Sequence, residues 1–134
     1  MLIGIDLVRI SQVAASLERF GDRFIRRVFT DGEIAYCASS PPLAAQRFAA
    51  RFAAKEATVK VLRPRRLWAR WRDIEVRRDG TGWCDIVLHD HAAELAREAG
   101  LGALALSLSH DSDVAAAVVV ALPAGAPPAG LRDR

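Results

Sequence analysis

Lysine is nearly absent from this sequence of 134 residues. Only Lys55 and Lys60 are lysines, they fall in one short segment, and every other basic side chain is arginine. Arginine is a flat, permanently charged fork, whereas lysine is a compact point charge on a slim side chain. The distribution indicates a specific use for ammonium groups in this segment. The simpler alternative is that Glu56 and Lys60, four residues apart, form an ordinary ion pair on a solvated helix.

Cysteine and long apolar runs are scarce as well. Cys37 and Cys84 are far apart and lack the spacing of metal ligands, so we expect reduced thiols. No apolar run reaches the roughly 20 residues that a membrane-spanning helix needs. The first residues, Met1 to Asp6, contain no basic segment of the kind that opens an export signal. We therefore predict a cytoplasmic protein that does not enter a membrane.

The composition is that of a folded domain, with 51% hydrophobic and 26% charged residues. We predict one domain at residues 1–122 and a disordered tail, rich in proline, glycine and alanine, at residues 123–134. The formal net charge of +3 suits an acidic partner or a phosphate-bearing ligand without requiring either.

Hydrophobic periodicity and turn residues predict an α+β fold, with a mostly antiparallel sheet packed by helices. The predicted helices cover residues 11–20, 30–36, 43–62 and 92–99, and the predicted strands cover residues 2–10, 71–77, 83–88, 104–108 and 115–122. Ser11 is a candidate cap for the first helix, and Thr30 opens a capping box with Glu33. The first and last strands are almost wholly apolar, so we expect both faces of each to be covered.

Asp6 interrupts the first apolar strand. A buried carboxylate is costly unless it meets a cation or several hydrogen-bond donors. Asp6 could cap a backbone at a strand end, or it could bind a metal with Glu56 as the second carboxylate. Two carboxylates, completed by waters and substrate phosphates, form a shell that Mg²⁺ prefers. Lys60 would then lie beside a bound phosphate, although nothing in the spacing of these residues alone joins them.

Five short motifs occur in order along the chain. They are Gly4-Ile5-Asp6-Leu7-Val8, Phe29-Thr30-Asp31-x-Glu33, Arg51-Phe52-Ala53-Ala54-Lys55-Glu56-Ala57-x-x-Lys60, Asp73-Ile74-Glu75-Val76 and Ser107-Leu108-Ser109-His110-Asp111. Together they resemble holo-acyl-carrier-protein synthase, the small bacterial type of 4′-phosphopantetheinyl transferase. The resemblance covers residues 2–122.

This resemblance implies a single-domain 4′-phosphopantetheinyl transferase fold and a reaction. The reaction is transfer of 4′-phosphopantetheine from coenzyme A to a serine of an apo acyl carrier protein, with release of adenosine 3′,5′-bisphosphate. Asp6 and Glu56 correspond to Mg²⁺ ligands, with Mn²⁺ as an alternative ion, and Lys60 and Glu56 are the catalytic candidates. The resemblance also implies a homotrimer that binds coenzyme A in clefts between subunits.

Coenzyme A binding is expected to involve residues from three parts of the chain. The candidates are Lys55, Lys60, Arg63, Arg65, His110 and Asp111. His110 has a simple structural alternative as a hydrogen-bonding residue after a strand. The family usually has a glycine-containing loop after its Lys-x-Leu, where this chain has Arg63-Pro64-Arg65-Arg66. These arginines could hold the 3′-phosphate by forked hydrogen bonds or form a solvated basic loop.

A basic, partly apolar segment is the candidate docking surface for the carrier protein. Its residues are Arg19, Arg23, Phe24 and Arg27. One rival is a non-enzymatic module that binds an acidic protein or nucleic acid through its arginines, and another is a weakly active or inactive transferase fold kept for interaction. We expect no nucleic-acid partner, because the chain lacks the aromatic platform on which single strands stack. Whether the carrier serves fatty-acid or polyketide synthesis is left open.

Overall fold

The computed structural model describes residues 1–125 and confirms the α+β fold. Among these residues there are five helices and five strands. The helices are α1 (Ile10–Phe20), α2 (Asp22–Val28), α3 (Asp31–Ala38), α4 (Ala44–Leu62) and α5 (Asp90–Glu98), and the strands are β1 (Leu2–Arg9), β2 (Ile74–Arg78), β3 (Cys84–Leu88), β4 (Leu101–His110) and β5 (Val114–Pro123). Two short 3₁₀ turns, Pro41–Leu43 and Trp71–Asp73, precede α4 and β2.

The strands form two antiparallel sheets. The larger sheet has the order β1-β5-β4, so the first strand of the chain pairs with the last. Its register sets Asp6 opposite Ala117 and Gly4 opposite Val119. The strands β2 and β3 form a separate hairpin sheet. In the larger sheet, the strand order makes β1 an edge strand, so Asp6 lies at the margin of that sheet.

The long helix α4 packs on one face of the larger sheet, against β1 and β5. The close approach depends on small side chains: Ala53, Ala54 and Ala57 are fully buried on the helix. Gly4 contributes most directly, since a Cβ added there would lie 2.1 Å from the backbone oxygen of Ala57. The absence of a side chain at Gly4 therefore lets α4 lie directly against the strand that carries Asp6.

The opposite face of the larger sheet is apolar and uncovered. Ile3, Ile5 and Leu7 on β1 are 67%, 58% and 66% exposed, while alternate residues of β5 facing α4 are fully buried. Within a single chain the prediction that both faces are covered is wrong for β1, whereas for the last strand, where a subunit interface was one possible cover, it stays a prediction. The physical reason is that, within residues 1–125, the helices pack on one side of the sheet only.

Several predicted element boundaries also differ from the structure. The helix α1 begins at Ile10 without a side-chain cap, so the cap predicted at Ser11 is wrong. The basic segment after Gly21 forms α2, which the sequence pattern did not indicate. The capping box of Thr30 and Glu33 is confirmed. The last strand extends to Pro123, and most of the predicted disordered tail, residues 126–134, lies outside the described residues.

Both cysteines are free, as predicted. Burial raises the pKa of Cys37 to about 12, and the nearby positive charge of Arg51 only partly offsets this effect. Because the thiolate is the reactive form, Cys37 is an inert core residue rather than a nucleophile. Among residues 1–125, no helix is long and apolar enough to cross a bilayer.

Candidate functional site

Asp6, Glu56 and Lys60 meet where α4 crosses the edge strand β1, and we call them the carboxylate–lysine cluster. The Lys60 Nζ donates to the backbone oxygen of Ile5 at 2.7 Å and to Asp6 Oδ1 at 3.2 Å. The Lys60 side chain is 53% exposed, whereas that of Asp6 is 19% exposed. The cluster therefore presents a solvent-accessible ammonium group directly beside a largely buried carboxylate.

Glu56 lies one helical turn before Lys60, and its side chain is partly buried. Burial raises the pKa of Glu56, the negative charge of Asp6 raises it further, and Lys60 opposes both effects. The two carboxylates thus repel each other at the margin of the sheet, and the Lys60 ammonium, paired with Asp6, partly offsets this repulsion. A divalent cation would relieve this repulsion, so the donor set suits a hard cation that also binds phosphate oxygens.

Lys55 is not part of this cluster. It is completely buried, and its Nζ donates to Glu33 Oε1 at 2.8 Å, to the backbone oxygen of Trp71 at 3.1 Å and to that of Ile74. All three donor positions of the ammonium are therefore used inside the protein. The coenzyme A contact predicted for Lys55 is wrong in this structure, because the side chain faces the core between α3 and β2.

Glu33, the buried partner of Lys55, connects three elements of secondary structure. Glu33 Oε1 also accepts from the backbone N–H of Thr30 at 2.8 Å, and Oε2 accepts from that of Val76 at 2.9 Å. One carboxylate thus joins α3, α4 and β2. This buried ion pair explains Glu33 of the second motif and Lys55 of the third, whereas Glu56 and Lys60 of the third motif belong to the cluster.

His110 and Asp111 lie at the end of β4, two strands across the sheet from β1 and just beyond Leu108, the β4 residue level with Asp6. His110 is exposed, with its Nε2 3.1 Å from Gln46 Nε2 near the start of α4. Gln46 and Glu56 are ten residues apart on the helix, a rise of about 15 Å. Asp111 Oδ1 accepts from the backbone N–H groups of Asp113 and Val114, which holds its pKa below the usual range. Within one subunit, therefore, these residues do not reach the cluster.

The arginine-rich segment after α4 borders a groove of about 750 Å³. Its walls include Arg63, Arg65, Arg66 and Arg70 from the segment and His91 from α5. Arg70 is paired with Asp73 at 2.7 Å. Arg63 and Arg65 are exposed and, among the described residues, form no ion pair with a carboxylate. They remain available for an anionic ligand.

Arg63 adopts a backbone conformation that normally belongs to glycine. It follows the last turn of α4 with φ 51° and ψ 57°, in the left-handed region. A residue with a Cβ pays about 1–2 kcal/mol for this conformation. Arg63→Gly is therefore expected to raise the free energy of unfolding by about 0.5–1 kcal/mol, since the gain is partly offset by the greater freedom of glycine in the unfolded chain.

Urea denaturation of the parent and of Arg63→Gly would measure this difference. Arg65→Gly is the matched control, because Arg65 lies in the same exposed loop without a left-handed backbone. The control should be neutral or slightly destabilised. Equal effects of the two substitutions would show that the backbone of Arg63 is not strained.

The predicted docking residues lie on α1 and α2. Arg19, Arg23 and Arg27 are exposed, whereas Phe24 is half-buried and packs edge-on against Phe29 at 5.9 Å. Phe20, 47% exposed beneath the guanidinium of Arg19, supplies exposed apolar surface that the sequence analysis did not assign. Its position at the end of an amphipathic helix, directly before Gly21, was the signal that could have identified it.

Gly4, in the first motif, has a structural role that its motif alone did not indicate. Its Cβ-free backbone lets α4 approach β1, and this approach sets Lys60 against Asp6. A glycine two residues before an acid in an apolar strand was the available signal, because glycine in a strand often marks a close backbone approach.

Comparisons with known proteins identify the family. The family model described as the 4′-phosphopantetheinyl transferase superfamily matches residues 2–119. A holo-(acyl-carrier-protein) synthase of Koribacter versatilis is 44% identical over 118 residues, covering 87% of this chain and 94% of that protein. The corresponding protein of Geobacter sp. is 45% identical, with the same coverage. The crystal structure of the Helicobacter pylori enzyme in complex with coenzyme A superposes with a TM-score of 0.77 at 29% identity, covering 90% of this chain and all of that chain.

Proposed function

The chain belongs to the 4′-phosphopantetheinyl transferase superfamily, and we propose that its carboxylate–lysine cluster is where the transfer takes place. The protein is a transferase that moves 4′-phosphopantetheine from coenzyme A to a serine of an apo acyl carrier protein. The serine oxygen forms a bond to the phosphorus that carries pantetheine, the bond from that phosphorus to adenosine 3′,5′-bisphosphate breaks, and the serine proton passes to a base. The observation that supports the location is the exposed Lys60 ammonium held between Asp6 and the backbone of Ile5.

Asp6 and Glu56 would hold Mg²⁺, or alternatively Mn²⁺. Their mutual repulsion fits a divalent cation, and among residues 1–125 no group of three histidine, cysteine or acidic side chains competes as a metal cage. When bound, such an ion polarises the phosphoryl oxygens and neutralises the charge that develops on them. Substrate phosphates and waters would complete the shell, as is usual for Mg²⁺ sites with two carboxylates.

Lys60 is proposed as the phosphate-side cation. Its hydrogen bonds to Asp6 and to Ile5 fix the ammonium at the mouth of the cluster while half of its side chain remains in solvent. A fixed positive charge of this kind stabilises negative charge that builds up on the diphosphate in the transition state. Glu56, one turn away on the same helix, is the proposed acceptor of the serine proton.

The function is tested by weighing the carrier protein. The full chain is incubated with an apo acyl carrier protein, coenzyme A and Mg²⁺, and the carrier is analysed by mass spectrometry. We expect a mass increase of one phosphopantetheine group, and none when EDTA is in excess. An unmodified carrier under these conditions would instead support an inactive transferase fold that binds an acidic partner through its arginines.

Coenzyme A is proposed to lie between the cluster and exposed basic residues. Arg63 and Arg65 can offer forked hydrogen bonds to phosphate oxygens from the segment after α4. His110 and Asp111 lie too far from the cluster of their own chain, so they are proposed to face the cluster of a neighbouring subunit. In that arrangement His110 would contact the bound coenzyme A, while Asp111 would mainly hold the β4–β5 turn that positions it.

Assembly as a homotrimer would also cover the exposed face of the larger sheet. Ile3, Ile5 and Leu7 line one edge of that face, next to Val118 and Val120 of β5. Contiguous exposed apolar surface of this kind is typical of a subunit interface, and a threefold axis closes such an interface. Light scattering at micromolar protein concentration should give three times the mass of the chain, and an active, stable monomer would contradict the shared site.

The exposed arginines of α1 and α2 are proposed to dock the acidic carrier protein. Charge reversal at Arg23 and Arg27 should raise the Km for the carrier about tenfold or more at low salt and leave the affinity for coenzyme A unchanged. An exposed basic surface acts mainly by steering the encounter, so the defect should shrink as salt is raised. Steady-state kinetics at two salt concentrations would measure it. A defect independent of salt, or no defect, would place docking elsewhere.

The setting proposed for this reaction is the cytoplasm, as predicted from the sequence. The free, buried thiol of Cys37 is compatible with a reducing compartment. The relatives named above are bacterial proteins.

A further inference from the structure

Three arginines converge on one tyrosine ring on the side of α4 that faces away from the carboxylate–lysine cluster. The guanidinium carbons of Arg47, Arg51 and Arg78 lie 4.3, 4.4 and 5.1 Å from the centre of the Tyr36 ring. Each contact is favourable by itself as a cation–π interaction. Three positive groups around a single ring also repel one another, so the arrangement gains most from an anion placed among them.

The least exposed of the three arginines lacks an acidic partner. Arg51 is 5% exposed, and within the described part of the chain it donates a single hydrogen bond, to the backbone oxygen of Arg47, which is long at 3.4 Å. Among residues 1–125, no carboxylate lies within 4.0 Å of the guanidinium groups of Arg47, Arg51 or Arg78. A buried charge without a counter-ion is costly, which indicates that the site is built for a ligand that supplies one.

Arg51 and Arg78 line a cavity of about 300 Å³ between α3, α4 and β2. Arg47 lies over the same Tyr36 ring outside this lining, and its Nη1 donates to the backbone oxygen of Tyr36 at 3.0 Å and to Ser39 Oγ at 3.1 Å. Two acids line the same cavity, but both are already paired. Glu33 binds Lys55 and two backbone amides, and Glu75 accepts from Thr30 at 2.9 Å and pairs with Arg77 and His89, each at 3.0 Å. The charge left without a partner at this cavity is therefore positive.

We propose that Tyr36, Arg47, Arg51 and Arg78 form a binding site for a phosphate-bearing anion, separate from the carboxylate–lysine cluster. Arginine forks match the oxygen pairs of phosphate, and burial of Arg51 strengthens the interaction. Arg51 and Lys60 are nine residues apart on α4, which places them on opposite sides of the helix. A ligand in this site would therefore lie on the opposite side of α4 from Lys60 of the same subunit.

Isothermal titration calorimetry of the full chain with inorganic pyrophosphate, in the presence of EDTA, tests this site. The parent is expected to show saturable binding, and Arg78→Gln and Arg47→Gln are each expected to weaken it about tenfold, the usual effect of losing one charge-assisted hydrogen bond. Both side chains are more exposed than Arg51, so their replacement should leave the fold intact, as circular dichroism would verify. Arg97→Gln, an equal change of charge on the exposed side of α5, is the matched control and should bind like the parent.

Two further titrations separate this site from the one that binds the substrate. Lys60→Gln should bind pyrophosphate within twofold of the parent, and saturating coenzyme A should leave the pyrophosphate affinity unchanged. Absence of saturable binding in the parent would overturn the proposal. So would a loss as large in Arg97→Gln as in Arg78→Gln, a loss confined to Lys60→Gln, or displacement of pyrophosphate by coenzyme A.

Discussion

Replacing Asp6 by asparagine is expected to lower kcat about 10²–10³-fold, the usual effect of losing one preorganised electrostatic contact to a transition state. Asparagine keeps the size of the side chain, so the packing of α4 on β1 should survive, and only the charge beside Lys60 and the proposed metal is lost. Glu56→Gln is expected to have an effect of similar size. Initial rates of carrier modification at saturating Mg²⁺ and coenzyme A would measure both. Rates near that of the parent in either variant would contradict the assignment.

The stability of Glu56→Gln provides an internal control. The folded-state pKa of Glu56 is raised by burial first and by Asp6 second, so its ionisation opposes folding when no metal is present. The contribution of Glu56 to the free energy of unfolding is therefore fully present below its unfolded-state pKa. It is lost as the pH rises through the raised folded-state pKa. At neutral pH and in EDTA, Glu56→Gln should therefore be at least as stable as the parent, and its loss of activity cannot be attributed to unfolding.

Lys60→Arg tests the use of lysine rather than arginine at this position. The substitution keeps the positive charge but replaces a compact ammonium with a planar fork, which cannot reproduce the paired contacts to Ile5 and Asp6 in the same space. We expect only partial activity. If Lys60→Arg turns over as fast as the parent, Lys60 is no more than a structural partner of the acids.

Replacing Lys55 by methionine is expected to lower the free energy of unfolding by about 3–5 kcal/mol, because it leaves the buried Glu33 carboxylate without its cation. Methionine approximates the apolar part of the lysine side chain, so the loss reports mainly on the charge. The matched control is Lys60→Met, which removes a half-exposed ion pair and should cost about 0–1 kcal/mol. Urea denaturation of the two variants compares the only two lysines of the chain directly.

The two lysine variants are also expected to differ in enzymatic activity. Lys60→Met should be folded and almost inactive, whereas the remaining folded fraction of Lys55→Met should retain turnover, since Lys55 touches no group of the cluster. Equal losses of stability in the two variants would contradict the division of the lysines into a buried structural residue and an exposed functional one. A Lys55→Met variant as stable as the parent would show that the Glu33 carboxylate finds other donors.

The sequence was sufficient where local rules apply. The capping box at Thr30, the α+β class, the antiparallel pairing and the placement of Glu56 and Lys60 on one helical face all follow from short-range patterns, and the structure agrees with each. The five motifs identified the family because they occur in order over nearly the whole chain. The surroundings of Lys55, by contrast, were predicted wrongly, because its burial against Glu33 depends on packing between distant segments.

Only the tertiary structure decided which charged groups meet. Asp6 lies beside Lys60, 54 residues away along the chain, because Gly4 lets α4 pack directly on the edge strand. Lys55 is buried because it forms an ion pair with Glu33 inside the core. The arginines around Tyr36 come from α4 and β2, so no single segment carries the pattern of that cluster. The sequence specifies the phase of each helix and strand through local hydrogen bonding and periodicity. Contacts between distant segments depend on how those elements pack, and packing is set by the shapes of many side chains together.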